Sequence, residues 1–330
     1  MKRAIALVLS LVMMFSLAAC GSGKSASSSS GAVDGKGVKL LLALHDETDT
    51  FLTVLVAAME EHAAACGAQM DIVYAENSVA KQKEQISQAA AGGYNAIICR
   101  LADASTAKQM ETAAGSLPIL FINNQPDEST LEADKYVYVA SYEKEAGLLQ
   151  AEYVWNKLGK PSSMNIIILK GQKGHSAVNP RSNAVRDYLR DNGVAVNIVF
   201  MDYADWSDTT AYDKLELFKL TGQSFDAVFA NNDPMAIGAI NWMKDNGYDT
   251  HKYLVAGIDA TDGGKQAVRD GDMCMTVLQD TAGQGTAAVN GAIALAKGQS
   301  LSGTVDGATE DGLFIWVPFV TVDSSNVDQY

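Results

Sequence analysis

Four runs of polar side chains, one ending in an aromatic ring, follow apolar stretches: His45-Asp46-Glu47-Thr48-Asp49-Thr50-Phe51, Lys170-Gly171-Gln172-Lys173-Gly174-His175, Asn231-Asn232-Asp233 and Gly257-Ile258-Asp259. Carboxylates, amides and imidazoles beside a ring suit the non-covalent capture of a polar ligand. They suit covalent chemistry poorly. His175 and Asp259 offer a base and its orienting carboxylate, yet no nucleophile accompanies them. The chain also carries no G-x-S-x-G elbow, P-loop, H-E-x-x-H or paired Cys/His spacing, so an enzyme is not expected. Cys66, Cys99 and Cys274 are too far apart for a zinc signature, and each lies in an apolar stretch where packing is the expected role.

Those runs must be positioned by a scaffold of 330 residues, 48% hydrophobic, a length that predicts about two domains. A formal charge of −14 argues against nucleic acid as a partner. Lys2 and Arg3 precede the almost wholly apolar Ala4–Ala19, and Leu17-Ala18-Ala19-Cys20 closes that stretch. The pattern resembles a bacterial lipoprotein signal. It implies that residues 1–19 are removed and Cys20 is lipidated, which places the protein extracytoplasmically on the outer face of the cell membrane. Residues 20–36, rich in Ser and Gly, read as a flexible tether.

From residue 37 the pattern alternates between strand and helix. Val38–Leu44 is apolar except for Lys39, as in a strand buried on both faces, and Leu52, Leu55, Val56, Met59, Ala63 and Cys66 follow at helical spacing. Further units follow, up to a helix over Ala282–Ala296 and one final strand near Phe314–Val320. The expected fold class is α/β, with parallel sheets flanked by helices. Ligands of such sheets bind beyond the carboxyl ends of the strands, where the polar runs lie.

Asp49-Thr50-Phe51, Phe121-Ile122-Asn123, Leu169-Lys170-Gly171 through Gly174-His175 to Arg181, Trp206, Ala230-Asn231-Asn232-Asp233, Gly257-Ile258-Asp259-Ala260 and Thr276-Val277-Leu278 together resemble the sugar-binding proteins of bacterial ABC importers, of glucose/galactose-binding type. The resemblance spans about residues 37–325. It implies the two-lobed periplasmic-binding-protein type 1 fold, with three hinge crossings near Ser141, Asp280 and Ile315. One lobe would take residues 37–141 and 280–315, the other 142–279 and 316–330. A monosaccharide would be enclosed between them and handed to a membrane permease by a monomeric carrier. A sugar receptor that presents its ligand to a sensor kinase or chemoreceptor is the alternative.

The resemblance also implies roles. Phe51 and Trp206 would lie against the two C–H faces of a pyranose, with little side-chain entropy to lose. Asp49 and Asp259 would accept hydrogen bonds from hydroxyls, and Asn232, Arg181 and His175 would donate them. Blander roles compete: Asn232 or Asp233 and Asp259 as helix caps, Phe51 as a core staple, Arg181 as a surface ion pair. His45, Arg100, Ala177 and Gln279 depart from the glucose/galactose pattern of Tyr, Asn, Asp and Asn. Arg100 opens the case for a sugar acid, unless it folds back onto Asp49 or Asp103, in which case the ligand stays neutral. The connection Leu158–Met164 lacks carboxylates, so the calcium of the glucose/galactose type is not expected. No cofactor is expected.

Overall fold

The computed structural model describes residues 33–46 and 50–330. The signal, Cys20 and Asp49 lie outside them. Residues 33–36 are already built onto the domain rather than belonging to the tether: Val33 packs on the core, and the Gly35 N–H donates to the carbonyl of Cys66 at 2.8 Å. That bond satisfies a carbonyl at a helix end, where no intrahelical donor is left.

The first sheet is built from β1 (Lys39–Leu44), β2 (Gln69–Tyr74), β3 (Ala96–Cys99), β4 (Ile119–Ile122) and β5 (Tyr136–Ala140), with α1 (Thr50–Cys66), α2 (Val79–Ala89) and α3 (Ala107–Ala114) between the first four. The chain then crosses to α4 (Glu143–Lys157), β6 (Ser163–Lys170), α5 (Val178–Asp191), β7 (Ala195–Tyr203), α6 (Asp208–Lys219), β8 (Ala227–Ala230), α7 (Asp233–Asp245), β9 (Leu254–Ala256), α8 (Asp262–Arg269) and β10 (Thr276–Leu278). α9 (Thr281–Ala296) leads back to β11 (Phe314–Trp316), and β12 (Val320–Val322) follows. The six-stranded sheet runs β2-β1-β3-β4-β5-β11, all parallel, and the four-stranded one β7-β6-β8-β9, also parallel. β10 lies beside β9 and pairs antiparallel with β12. Two parallel sheets flanked by helices are the expected fold. In each sheet the strand order reverses beside the first strand, the place where such sheets open a crevice.

Two elements depart from the sequence reading. The single final strand is two: β11 pairs with β5 as far as Trp316↔Ala140, one residue past the crossing expected near Ile315, and β12 pairs with β10 in a separate two-stranded sheet. Pro318, which has no N–H to give a ladder, stands in the break. The helix α8 has no counterpart in the sequence reading beyond a possible cap at Asp259. Only Gly264 and Val268 are buried along it, too few for a readable apolar stripe.

Hydrophobic burial holds each layer. α1 buries Leu52, Leu55, Met59 and Ala63 against β1 and α9. Gly285 on α9 allows the close approach, since a Cβ there would stand 2.9 Å from that of Ala58. Cys66, Cys99 and Cys274 are buried free thiols, and burial pushes the last two up to about 12.

Candidate functional site

The carboxyl ends of the strands from both sheets face one cleft of about 280 Å³. β1 delivers His45 and Asp46, the first turn of α1 Phe51, and the end of β4 Asn123. From the second sheet, the β6–α5 loop delivers Gln172, His175 and Ala177, α5 Arg181, the β7–α6 loop Asp205 and Trp206, the α7 start Asn232, the β9–α8 loop Asp259, and the end of β10 Gln279. Nine of the sequence-predicted ligand residues lie among the described residues, and eight of them line this cleft. Arg100 does not. Its guanidinium is buried behind Asn123, donating from Nε to Asn123 Oδ1 at 3.2 Å and from Nη1 to the carbonyl of Leu101 at 2.9 Å. Asp103 instead caps a short turn, accepting from the N–H and hydroxyl of Ser105.

Backbone strain marks the cleft. Asn123 (φ 60°), Asp205 (φ 50°), Trp206 (φ 63°) and Asp259 (φ 112°) all sit at positive φ, where non-glycine residues cost free energy and cluster at functional sites. The Trp206 ring lies edge-on to His175, with centroids 5.2 Å apart. Both aromatics are anchored from behind: Phe51 packs on the first core and Trp206 on the second.

Polar groups are held so that specific atoms remain for a ligand. The Ala177 N–H donates to His175 Nδ1 at 3.2 Å, so Nε2 carries the proton and points it at Asn123 Oδ1, 3.3 Å away. Asn123 Oδ1 thus takes two donors, which leaves its amide N–H groups to the cleft. Arg181 is no surface ion pair. It is buried and donates to Glu143 Oε2 at 2.5 Å, the carbonyl of Asn231 at 2.7 Å and Gln279 Oε1 at 2.8 Å, with Asp259 Oδ1 at 3.9 Å. Gln279 Nε2 and His45 Nδ1 are buried without a hydrogen-bond partner among the described residues. Asn232 does act as a cap, accepting from Met235 N at 3.1 Å, while its amide reaches the carbonyl of Trp206. The cap of α8 is Thr261, not Asp259.

Burial and the Arg100 charge push His45 down to about 3, and burial with Arg100 and Arg181 holds His175 well below the usual histidine range. Both imidazoles are therefore neutral at pH 7, each able to donate and to accept.

Sequence reasoning gave no role to Asn123 or Glu143. Asn123 lies in Phe121-Ile122-Asn123 at a strand end, which is the available signal. Glu143 carried none, because its partner lies 38 residues away.

The two sheets also touch at the cleft rim. Gln125 N donates to Ser176 Oγ at 2.8 Å and Ser176 N to Asn124 Oδ1 at 3.2 Å. Among the described residues no cluster of acidic, histidine or cysteine side chains is arranged to hold a metal ion, and no helix is long and apolar enough to cross a membrane.

Two hinged α/β lobes that line one polar cleft with strand ends define a solute-binding protein. Known proteins agree. A family model described as the periplasmic binding protein domain matches residues 40–300. A putative rhizopine-binding protein of Rhizobium meliloti is 32% identical over 86% of this chain and 89% of its own. A galactose/methyl-galactoside binding periplasmic protein of Haemophilus influenzae is 26% identical, over 86% and 88%. An ABC transporter solute binding protein of Bacillus halodurans with bound myo-inositol superposes with a TM-score of 0.77 at 29% identity, over 90% of this chain and 98% of that one. This chain belongs to the periplasmic binding protein family, a family of extracytoplasmic sugar-binding transport proteins rather than enzymes.

Proposed function

We propose that the protein captures a neutral monosaccharide of galactose or glucose type between its lobes and delivers it to an ABC permease, while Cys20 holds it to the membrane as a lipoprotein. The observation that carries the reading is the make-up of the cleft. One aromatic ring comes from each lobe, Phe51 and Trp206, and the same cleft is lined by Gln279 and His45, whose Nε2 and Nδ1 have no hydrogen-bond partner among the described residues. A pyranose offers two C–H faces for rings and a belt of hydroxyls for polar atoms. A site built to hydrogen-bond those hydroxyls rejects analogues that lack them, because its own buried groups are then left unpaired.

Binding would work by closure. Sugar held on one lobe gains contacts from the other only when the hinge closes, so it shifts the open–closed equilibrium by that difference in affinity. The Gln125–Ser176–Asn124 bonds already join the two lobes, and closure would keep them. The same closure would serve a sensing role if the partner were a receptor instead of a permease.

A cyclitol is the second reading, favoured by the myo-inositol bound in the relative at 29% identity. Titration calorimetry of the soluble domain with D-galactose, D-glucose, D-ribose and myo-inositol tests both. One-to-one binding at micromolar affinity, about −8 kcal/mol, is expected for one of them. Absence of binding by all four sinks the proposal.

A further inference from the structure

We propose that Asp233 is a positioning residue for ligand capture, its buried carboxylate clamping the Asp259–Thr261 loop and so fixing Asp259 in the cleft. The inference rests on the sugar-binding reading above and adds a residue to it. Asp233 is fully buried in the first turn of α7 and is absent from the cleft lining. Its Oδ2 accepts from the N–H of Thr261 at 2.7 Å and from the Thr261 hydroxyl at 3.0 Å, and its Oδ1 accepts from the Thr276 hydroxyl at 2.6 Å. Its own N–H donates to the carbonyl of Ile258 at 2.7 Å. The Thr276 hydroxyl in turn accepts from the N–H of Ala260 at 3.2 Å. Every residue from Ile258 to Thr261 except Asp259 itself is therefore tied to Asp233 directly or through Thr276.

That grip matters because the loop does not relax into this shape unaided. Asp259 has φ 112° and Ala260 φ 53°, two consecutive non-glycine residues at positive φ. Strain of this kind persists only where the surroundings over-determine it. A second observation shows that the fold is shaped around this carboxylate. A Cβ on Gly257 would stand 2.2 Å from Asp233 Oδ1, and one on Gly264 would stand 2.0 Å from Oδ2. Neither glycine has positive φ, so space for the carboxylate is what requires them. Burial pushes the Asp233 carboxyl up to about 7, against the hydrogen bonds from Thr276 and Thr261 and the charge of Arg181.

The test is a double-mutant cycle read by calorimetry, using whichever of D-galactose, D-glucose, D-ribose or myo-inositol binds the wild type most tightly. Asp233→Ala should weaken binding by about tenfold or more and lose most of that effect in an Asp259→Asn background, because the two residues act as one unit. Asp233→Asn, which keeps the shape and one acceptor, should recover most of the lost affinity. Wild-type affinity in Asp233→Ala, or equal losses in both backgrounds, overturns the proposal. If Asp233→Ala does not fold, Thr276→Val takes its place in the same cycle: it removes the hydroxyl between Asp233 and Ala260, and the same coupling is required of it. A wild type that binds none of the four ligands overturns the sugar reading and this inference together, whereas a binding wild type with uncoupled variants overturns this inference alone.

Discussion

A Cβ on Gly171 would stand 2.1 Å from the indole ring of Trp206. Trp206 therefore rests on bare backbone at the end of β6 and meets His175 edge-on from the side. Gly171 does not have positive φ, so alanine suits its backbone and conflicts only with the ring. Gly171→Ala should displace the indole and lower sugar affinity by about tenfold or more, in the way that losing an aromatic anchor does at other binding sites. Calorimetry beside a thermal melt checks it. Wild-type affinity would mean that Trp206 does not hold the ligand, and Trp206→Ala should match the glycine variant.

Glu143 and Arg181 form the buried pair beneath the cleft, and Arg181 Nη2 holds Gln279. Removing one partner of such a pair leaves a buried charge uncompensated, a loss of about 3–5 kcal/mol. Glu143→Ala should lose stability of that order in urea unfolding, and affinity as well, since Arg181 is then free to swing and release Gln279. A loss under about 1 kcal/mol, the range of an exposed ion pair, contradicts the assignment.

The histidines give the protein an acid-side liability. His45 is held down to about 3 in the folded state against about 6.5 when unfolded, so as pH falls below 6.5 the unfolded chain takes up a proton that the folded one refuses. The stability contributed by neutral His45 is complete above 6.5 and is lost progressively toward pH 3. Asp233, pushed up to about 7, works the other way over pH 7 to 4, and so the difference between two proteins is the clean measurement. His45→Gln should gain on the wild type as pH falls from 6.5 to 4.5, with a slope approaching about 1.4 kcal/mol per pH unit. Parallel stability curves would show that His45 is protonated in the fold.

Much of the fold was legible because burial on both faces makes parallel strands into apolar runs, and β3 is bounded in the structure as its residues suggest. Five cleft residues, His45, Phe51, His175, Asn232 and Asp259, were legible because parallel sheets carry their chemistry at strand ends, whereas Arg181, Trp206 and Gln279 were legible only through the family resemblance. What stayed hidden depends on direction and partner rather than on pattern. Arg100 follows β3 as a cleft residue would, but its side chain turns behind Asn123. Arg181 reads as a surface residue until Glu143, Asn231 and Gln279 surround it. Asp233 reads as a helix cap beside Asn232, and only the packing of α8 against α7 shows that its carboxylate holds the neighbouring loop.

The place of Arg100 bears on the charge of the ligand. A guanidinium in the cleft would favour a sugar acid through a bidentate fork. Here the guanidinium donates to Asn123 Oδ1 and to the carbonyl of Leu101, and Arg100 is absent from the cleft lining. The groups that do line the cleft include Asp46, Asp205 and Asp259 with Arg181, whose charge is already matched by Glu143. A carboxylate brought into that setting meets acidic neighbours and no free fork. D-galactose should therefore bind more tightly than D-galacturonate, by about tenfold or more for a like-charge conflict of over 1.4 kcal/mol. Arg100→Asn should weaken both ligands by a similar factor, since what is lost is the orientation of Asn123 and not a contact to either. Competition calorimetry on the wild type and the variant separates the cases. Galacturonate displacing galactose at equal concentration, or a selective loss of galacturonate in Arg100→Asn, would show that the guanidinium reaches the ligand after all.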